Sequence, residues 1–411
     1  MKKDILYIWL QLSLGICSRA ARELMIKFSG VEEIYNCADF SFLGEKRAAL
    51  ARRLENKDTS EAFEVLKRCT TLGVGMHGYY DADFPQRLRL IEAPPVLLYS
   101  LGRWRDLNGT PCVAVVGTRR MSDYGRETAE RFAYVVSKSG AVVVSGLARG
   151  VDTAAHRGAV MAGGFTVAVL GSPIGDIYPP ENRRAFETLY SRGLVLSELY
   201  PGAPRTRADF PNRNRLISGL CDATVIAEAG EHSGALITAK YALSQGRSLF
   251  AVPGDIGAEN AGTNQLIKKG VPAATEPYDI IAPLSLEYPD KIKPYEPSLT
   301  AGLRSYGNAP AERQKPASPR SGARDAAERA APPPYGQIPE PDDSFKLSGA
   351  PGEKILKALR SAQKPMSPDE IARATGLDAS AVLAELTLLE IDGSAVSSAG
   401  NRYTATGDFV K

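Results

Sequence analysis

Between residues 111 and 283 the chain alternates short, almost wholly apolar runs with longer amphipathic stretches, and no other feature restricts the fold as much. The apolar runs are Val113–Val116, Ala141–Val144, Phe165–Leu170, Leu194–Leu196, Ala223–Ala227 and Ser248–Val252. Between them lie helix-length stretches such as Tyr124–Ser137, Val151–Met161, Arg183–Tyr190 and Ala235–Gln245. A strand that is apolar on both faces must be covered on both, and a strand–helix rhythm supplies the cover. The spacing therefore predicts a parallel sheet with helices on each side. The preceding segment, from Phe84–Leu88 to Pro94–Tyr99, is expected against the edge of that sheet.

The flanks read differently. Residues 1–75 show short helical patterns, with Leu6, Trp9, Leu10, Leu12 and Leu14 in one and Ala48, Leu50 and Leu54 in another, punctuated by Gly30 and Gly44. The opening run continues past Cys17 as an amphipathic helix and has no small-residue cleavage site, so it is read as structure and not as a leader. Residues 283–341 hold 12 of the 28 prolines and few large aliphatic side chains, the composition of an extended linker. Beyond it, Glu353–Leu359 is helical, and Ser367, Pro368 and Glu370 form a capping box for a second helix ended by Gly376. Ala379–Glu390 is a third helix, and Ala395–Ser397 with Arg402–Thr404 flank a hairpin turn, which is winged-helix order. That third helix carries Glu385 and Glu390 and no Lys or Arg, so it does not suit a DNA major groove.

In an open α/β sheet, ligands bind beyond the carboxyl ends of the strands. The loops expected there are rich in glycine: Gly117–Gly125, Ser145–Gly150, Gly171–Asp176, Glu228–Gly234 and Pro253–Asp255. Such loops let backbone amides approach an anion. Neither a dinucleotide fingerprint nor a Walker loop is present. The net charge of +3 excludes a bulk polycation, yet 14 of the 18 basic residues in 111–283 are arginines, set against 16 acids. Arg119, Arg120, Arg149, Arg207, Arg213 and Arg215 fall in or near the expected crevice. Phe210 sits among them in Phe210-Pro211-Asn212-Arg213-Asn214-Arg215. A ring beside arginines and asparagines suits single-stranded nucleic acid, with stacking for bases and cations for phosphates. The same run also suits a core phenylalanine with arginines on its solvated side.

Catalytic candidates are few. Asp152 and His156 share a helix face and are read as structural, while His232 lies in the Glu228–Glu231 loop. No Ser-His-Asp or Cys-His arrangement can be placed along the sequence. The five cysteines lack metal or disulfide spacing, and no run is long and apolar enough for a membrane span, so a reduced, cytoplasmic protein with no membrane partner is expected.

Several motifs together resemble the bacterial DNA-processing protein DprA (Smf) family. They are Val116-Gly117-Thr118-Arg119 with Ser122 and Tyr124-Gly125, Ser145-Gly146-Leu147-Ala148-Arg149-Gly150-Val151-Asp152, and Ile177-Tyr178-Pro179. Phe210–Gly219, Ser233–Ala239, Gln245-Gly246-Arg247, Val252-Pro253-Gly254 and Gly262–Ile267 complete the set. The resemblance implies an extended Rossmann-like α/β domain flanked by a helical, SAM-like domain and a winged-helix-like domain. The expected division is 1–75, 80–283, a linker over 284–349, and 350–411. It further implies a cofactor-free, non-catalytic mediator that binds single-stranded DNA, protects incoming strands in natural transformation and loads the recombinase RecA. The implied strand-binding residues are Gly117, Arg119, Ser122, Gly146, Arg207, Phe210, Arg213, Asn214, Ser233 and Gly234, with a homodimer interface at Leu266 and Ile267. The third-strand loop departs from the family's GxG, because Pro173 removes a backbone donor. Two alternatives stay open: a nucleotide phosphoribohydrolase-like enzyme using Glu228, Glu231 and Arg119, and a sensor of small nucleotides in the same crevice.

Overall fold

The computed structural model describes residues 2–178 and 182–295; within 350–405 it describes 350–362, 364–378, 382, 385, 386, 389, 395–398 and 402–405. Five helices open the chain: α1 (Lys3–Leu14), α2 (Arg19–Lys27), α3 (Val31–Asn36), α4 (Ala48–Glu55) and α5 (Ser60–Leu72). They lead into β1 (Gly75–Gly78), α6 (Gln86–Arg89) and β2 (Leu97–Gly102). The alternating region follows as β3 (Cys112–Gly117), α7 (Asp123–Lys138), β4 (Val142–Ser145), α8 (Val151–Met161) and β5 (Thr166–Leu170). It continues with α9 (Arg183–Arg192), β6 (Leu194–Ser197), α10 (Asp209–Leu220), β7 (Ala223–Glu228), α11 (Ala235–Ser244) and β8 (Ser248–Ala251). Helices α12 (Ala261–Lys268) and α13 (Tyr278–Glu287) end this part.

The eight strands form one sheet in the order β1-β2-β6-β5-β4-β3-β7-β8. Six are parallel, as the apolar runs predict, while β2 joins β6 antiparallel and β1 joins β2 antiparallel. The segment expected against the edge thus extends the sheet itself. Side chains alternate between two buried faces: Val142, Val144, Val167 and Val169 enter the core beneath α10 and α11, while Val113, Val115 and Val143 enter the one beneath α7 and α8. The N-terminal helices share a continuous core with the sheet, since Leu10 and Leu24 pack in one cluster with Tyr99, Leu170 and Val195. A polar contact fixes the docking: Gln11 Nε2 donates to the Glu198 carbonyl at 2.8 Å, and Tyr99 Oη donates to Gln11 Oε1 at 2.8 Å.

Folded chain runs further than the prolines suggest. Pro283 lies inside α13, and Leu284 and Ile292 are buried against the core, so ordered chain continues to residue 295. The expected linker beyond that point lies outside the described residues. In the C-terminal region, α14 (Ala350–Ser361) and α15 (Pro368–Thr375) precede a two-stranded hairpin of β9 (Ala395–Ser398) and β10 (Arg402–Ala405). The capping box forms as read: Glu370 N donates to Ser367 Oγ at 3.3 Å and Ser367 N to Glu370 Oε2 at 2.7 Å. Gly376 ends α15 in the left-handed conformation. Much of the expected third helix lies outside the described residues; within it Val382, Leu386 and Leu389 are buried at helical spacing.

Candidate nucleic-acid interface

The loops at the carboxyl ends of the parallel strands are held from behind by buried polar groups. Glu228, fully buried, accepts from the Ser122 amide at 3.0 Å, and its carbonyl accepts from the Thr118 amide at 2.8 Å. The first loop is thereby fixed over β7. Ser122 Oγ accepts from the Gly125 amide at 3.0 Å and so caps α7, a bond that leaves its O–H as a donor. In the second loop, Asp152 accepts from the amides of Gly146 (3.1 Å) and Ala148 (3.4 Å). Burial holds the Asp152 carboxyl above the usual aspartate range, against the opposing pull of Arg213. Between those amides Leu147 takes φ 53°, a strained position for a branched side chain. Gly150 takes φ 75°, and a Cβ there would lie 2.7 Å from the Arg119 carbonyl oxygen, so only glycine lets the two loops meet.

Two arginines expected in the crevice lie inside the protein. Arg213 is buried, and its Nη1 donates to the carbonyls of Gly146 (2.8 Å) and Val169, tying the ends of β4 and β5 together. Burial pushes its guanidinium pKa down to about 10. Its expected role as a phosphate ligand is therefore corrected: it positions the loops. Gly146 is buried too, with both backbone groups used by Asp152 and Arg213, so it offers no donor to a ligand. Arg215 Nη2 donates to both carboxylate oxygens of buried Glu198, at 2.7 and 2.8 Å, beside the carbonyl that receives Gln11. A charge pair taken out of water survives only with close geometry of this kind.

The groups that reach the surface form a row. The Arg119 guanidinium stands 5.7 Å from the centroid of the Phe210 ring, Phe210 lies 5.4 Å from the Tyr178 ring at 51°, and Arg205 stands 4.8 Å from Tyr178. Cation, ring, ring, cation thus follow one another, and each member is half-buried. Arg119 makes no hydrogen bond or ion pair among the described residues, and burial lowers its pKa. Gly171 permits the approach of Phe210: a Cβ there would lie 2.8 Å from Phe210 Cδ1. Tyr178 and Arg205 were not among the expected site residues, although an aromatic directly after the third-strand loop was a legible sign.

Gly117 ends β3 beside Arg119, and Arg207 is half-buried just before α10. Asn214 Nδ2 donates to the Gly234 carbonyl at 3.4 Å, and Ser233 Oγ accepts from the Ala235 amide at 3.4 Å, which brings these three together at the start of α11. Space is open above Gly234. The Pro173 loop closes on itself, with Asp176 N donating to the Pro173 carbonyl at 2.9 Å and Ser172 Oγ to the Asp176 carbonyl at 2.8 Å. Leu266 and Ile267 are half-buried on α12 and pack against the core.

The acid–base possibilities lie elsewhere. His156 bonds Thr166 Oγ1 at 2.8 Å, and burial pushes its pKa down to about 3. A Ser-His-Asp row does exist, contrary to the sequence reading: His77 Nδ1 meets Asp83 at 2.8 Å and Nε2 meets Ser100 Oγ at 2.9 Å. Strand pairing across β1 and β2, not sequence proximity, assembles it. Ser100 and His77 are buried, and the indole of Trp104 stacks on the imidazole at 3.3 Å, which walls the row off from substrate. Glu228, the acid required by a phosphoribohydrolase reading, is spent on the first loop. Among the described residues, no three His, Cys, Asp or Glu side chains group as metal ligands, and no helix is long and apolar enough to cross a membrane.

Residues 75–285 match the family model for the DNA recombination-mediator protein A, and residues 326–401 match that of the DprA winged helix domain. The chain is 36% identical over 327 residues to the protein Smf of Synechocystis sp., covering 79% of this chain and 78% of that one. It is 41% identical over 203 residues to the DNA processing protein DprA of Streptococcus pneumoniae, covering 49% of this chain and 71% of that one. The X-ray structure of the latter aligns with a TM-score of 0.57 at 32% identity, covering 67% of this chain and 95% of that one.

Proposed function

Since the chain belongs to the DNA recombination-mediator protein A (DprA/Smf) family, we propose that it is a DNA-processing protein that binds single-stranded DNA in the Arg119–Phe210–Tyr178–Arg205 groove. The observation that carries this reading is the row itself. Two adjacent rings that can stack bases are flanked by guanidinium groups that can meet phosphates, the combination that single-strand binders use without reading sequence. Gly117, Arg207, Asn214, Ser233 and Gly234 border the groove as further contacts, while Arg213, Gly146 and Ser122 support it from within.

In this reading the protein is a non-catalytic mediator. It acts in the cytoplasm as a homodimer, with Leu266 and Ile267 at the interface, shields incoming strands during transformation and hands them to RecA. Family membership supports these finer roles.

Binding of a labelled oligonucleotide across a salt series tests the groove. Affinity is expected to fall with salt with a log–log slope near −0.7 per phosphate contacted. Arg119→Ala should lower both the affinity and the slope. Phe210→Ala should cost about 1–3 kcal/mol of binding and leave the slope alone. Wild-type affinity in the Arg119→Ala, Phe210→Ala double variant would remove the groove from consideration.

A further inference from the structure

A second cationic hollow lies at the opposite end of the sheet, where β4 and β5 begin. Its volume is about 310 Å³, and its lining includes Arg103, Arg105, Arg192, Phe165, Ser137 and Gly164. No acidic side chain lines it. All three guanidinium groups are exposed, and among the described residues none makes a hydrogen bond or ion pair. Arg105 stands 5.5 Å from the centroid of the half-buried Phe165 ring. Ser137, nine-tenths buried, has an Oγ with no hydrogen-bond partner. Gly164 leaves the room for that hydroxyl, since a Cβ there would lie 2.7 Å from it.

Helices α7, α8 and α9 all end near this hollow, and each C-terminus carries about half a negative charge. The three arginines could simply offset those ends. Their charge exceeds the roughly −1.5 that three helix ends supply, and among the described residues none of the guanidinium groups donates to a terminal carbonyl. A surplus of cation and an unsatisfied hydroxyl remain beside the ring, with no hydrogen-bond or ion-pair partner for them among the described residues.

We propose that this hollow is a second binding site for the phosphate backbone of a DNA strand whose other segment occupies the Phe210 groove. The proposal rests on the single-strand reading above. Six residue steps of near-extended chain lead from Phe165 to Gly171, which places the two sites about 20 Å apart. A long strand would wrap the domain from one end of the sheet to the other, and a short one would fill the groove alone.

The test uses the full chain, one oligonucleotide of about 6 nucleotides and one of about 30, respectively within and beyond the usual span of a single site. The Arg103→Gln, Arg105→Gln, Arg192→Gln triple variant should bind the short one within about twofold of wild type. It should bind the long one at least about tenfold more weakly, because a linked second contact is lost, with a salt slope about 2 smaller. The corresponding triple Lys variant keeps the charge and should restore the slope, which separates loss of charge from loss of fold. Unchanged long-strand affinity and slope in the Gln variant overturns the proposal, and so does an equal loss for both lengths. Arg119→Ala with Phe210→Ala should weaken both lengths. If that variant weakens neither while the Gln variant still weakens the long strand, the groove reading fails and the second site stands.

Discussion

Arg213 and Arg119 show how two arginines of one crevice come to do different work. Both occur in motifs rich in glycine and arginine, and composition alone gives them the same role. Arg213 lies a helical turn after Phe210, where α10 passes under the strand ends, so its guanidinium meets carbonyls and not solvent. Arg213→Ala would leave the carbonyls of Gly146 and Val169 unpaired and the nearby Asp152 carboxylate uncompensated. We expect a loss of about 3–5 kcal/mol of stability in a denaturant titration, whereas Arg119→Ala should change stability by less than about 0.5 kcal/mol. Equal stability losses for the two variants would contradict this division. The concentration of arginine around Phe210 was legible in the run itself. Which arginine faces outward was not, because that depends on the angle at which α10 crosses the sheet, a tertiary quantity without a local signal.

At the level of the element, the parallel strands and the helices that cover them could be read almost residue for residue. Strands buried on both faces leave a continuous apolar trace. The antiparallel edge was harder to read, because β1 (Gly75–Gly78) is short, contains two glycines and a histidine, and gains its identity from pairing with β2. The same pairing assembles the Ser100–His77–Asp83 row that no sequence spacing announces. Loop contacts follow the same pattern. Gly150 looks like one glycine among many until its φ of 75° and its closeness to the Arg119 carbonyl are seen. Gly150→Ala should destabilise by at least about 1–2 kcal/mol from the left-handed backbone alone. It should also weaken oligonucleotide binding, since the loop that carries Arg119 must shift. Thermal melting paired with the binding assay checks this, and an unchanged melting temperature would refute it.

The molecule as a whole combines a small net charge with a strongly uneven placement of arginine, and its stability should depend on acid through buried imidazoles. Burial pushes His156 down to about 3 and also lowers His77. A histidine whose folded pKa lies below its unfolded value of about 6.5 contributes fully above that pH, and the contribution is lost as pH falls toward the folded value. For His156 alone the loss by pH 5 is about 2 kcal/mol. Asp152 and Glu198, both raised by burial, work in the opposite sense at lower pH, so the clean measure is a difference. The stability gap between wild type and His156→Gln should narrow by about that amount from pH 7 to pH 5; a constant gap would contradict the assignment.

The order Arg119, Phe210, Tyr178, Arg205 has a consequence for how a strand would arrive. Before DNA is present, each ring already has a cation beside it, so the apolar faces are not bare to water and the positive charges do not project as loose tethers. On the proposed reading, a base that stacks on Phe210 would displace the Arg119 guanidinium, which is then at hand for the phosphate beside that base, whereas Arg205 would first have to leave Asp176 at 3.1 Å. Binding would then be an exchange of partners within the row. Before that exchange the rings hold little idle hydrophobic surface, and the arrangement would favour a ligand that brings a ring and an anion together.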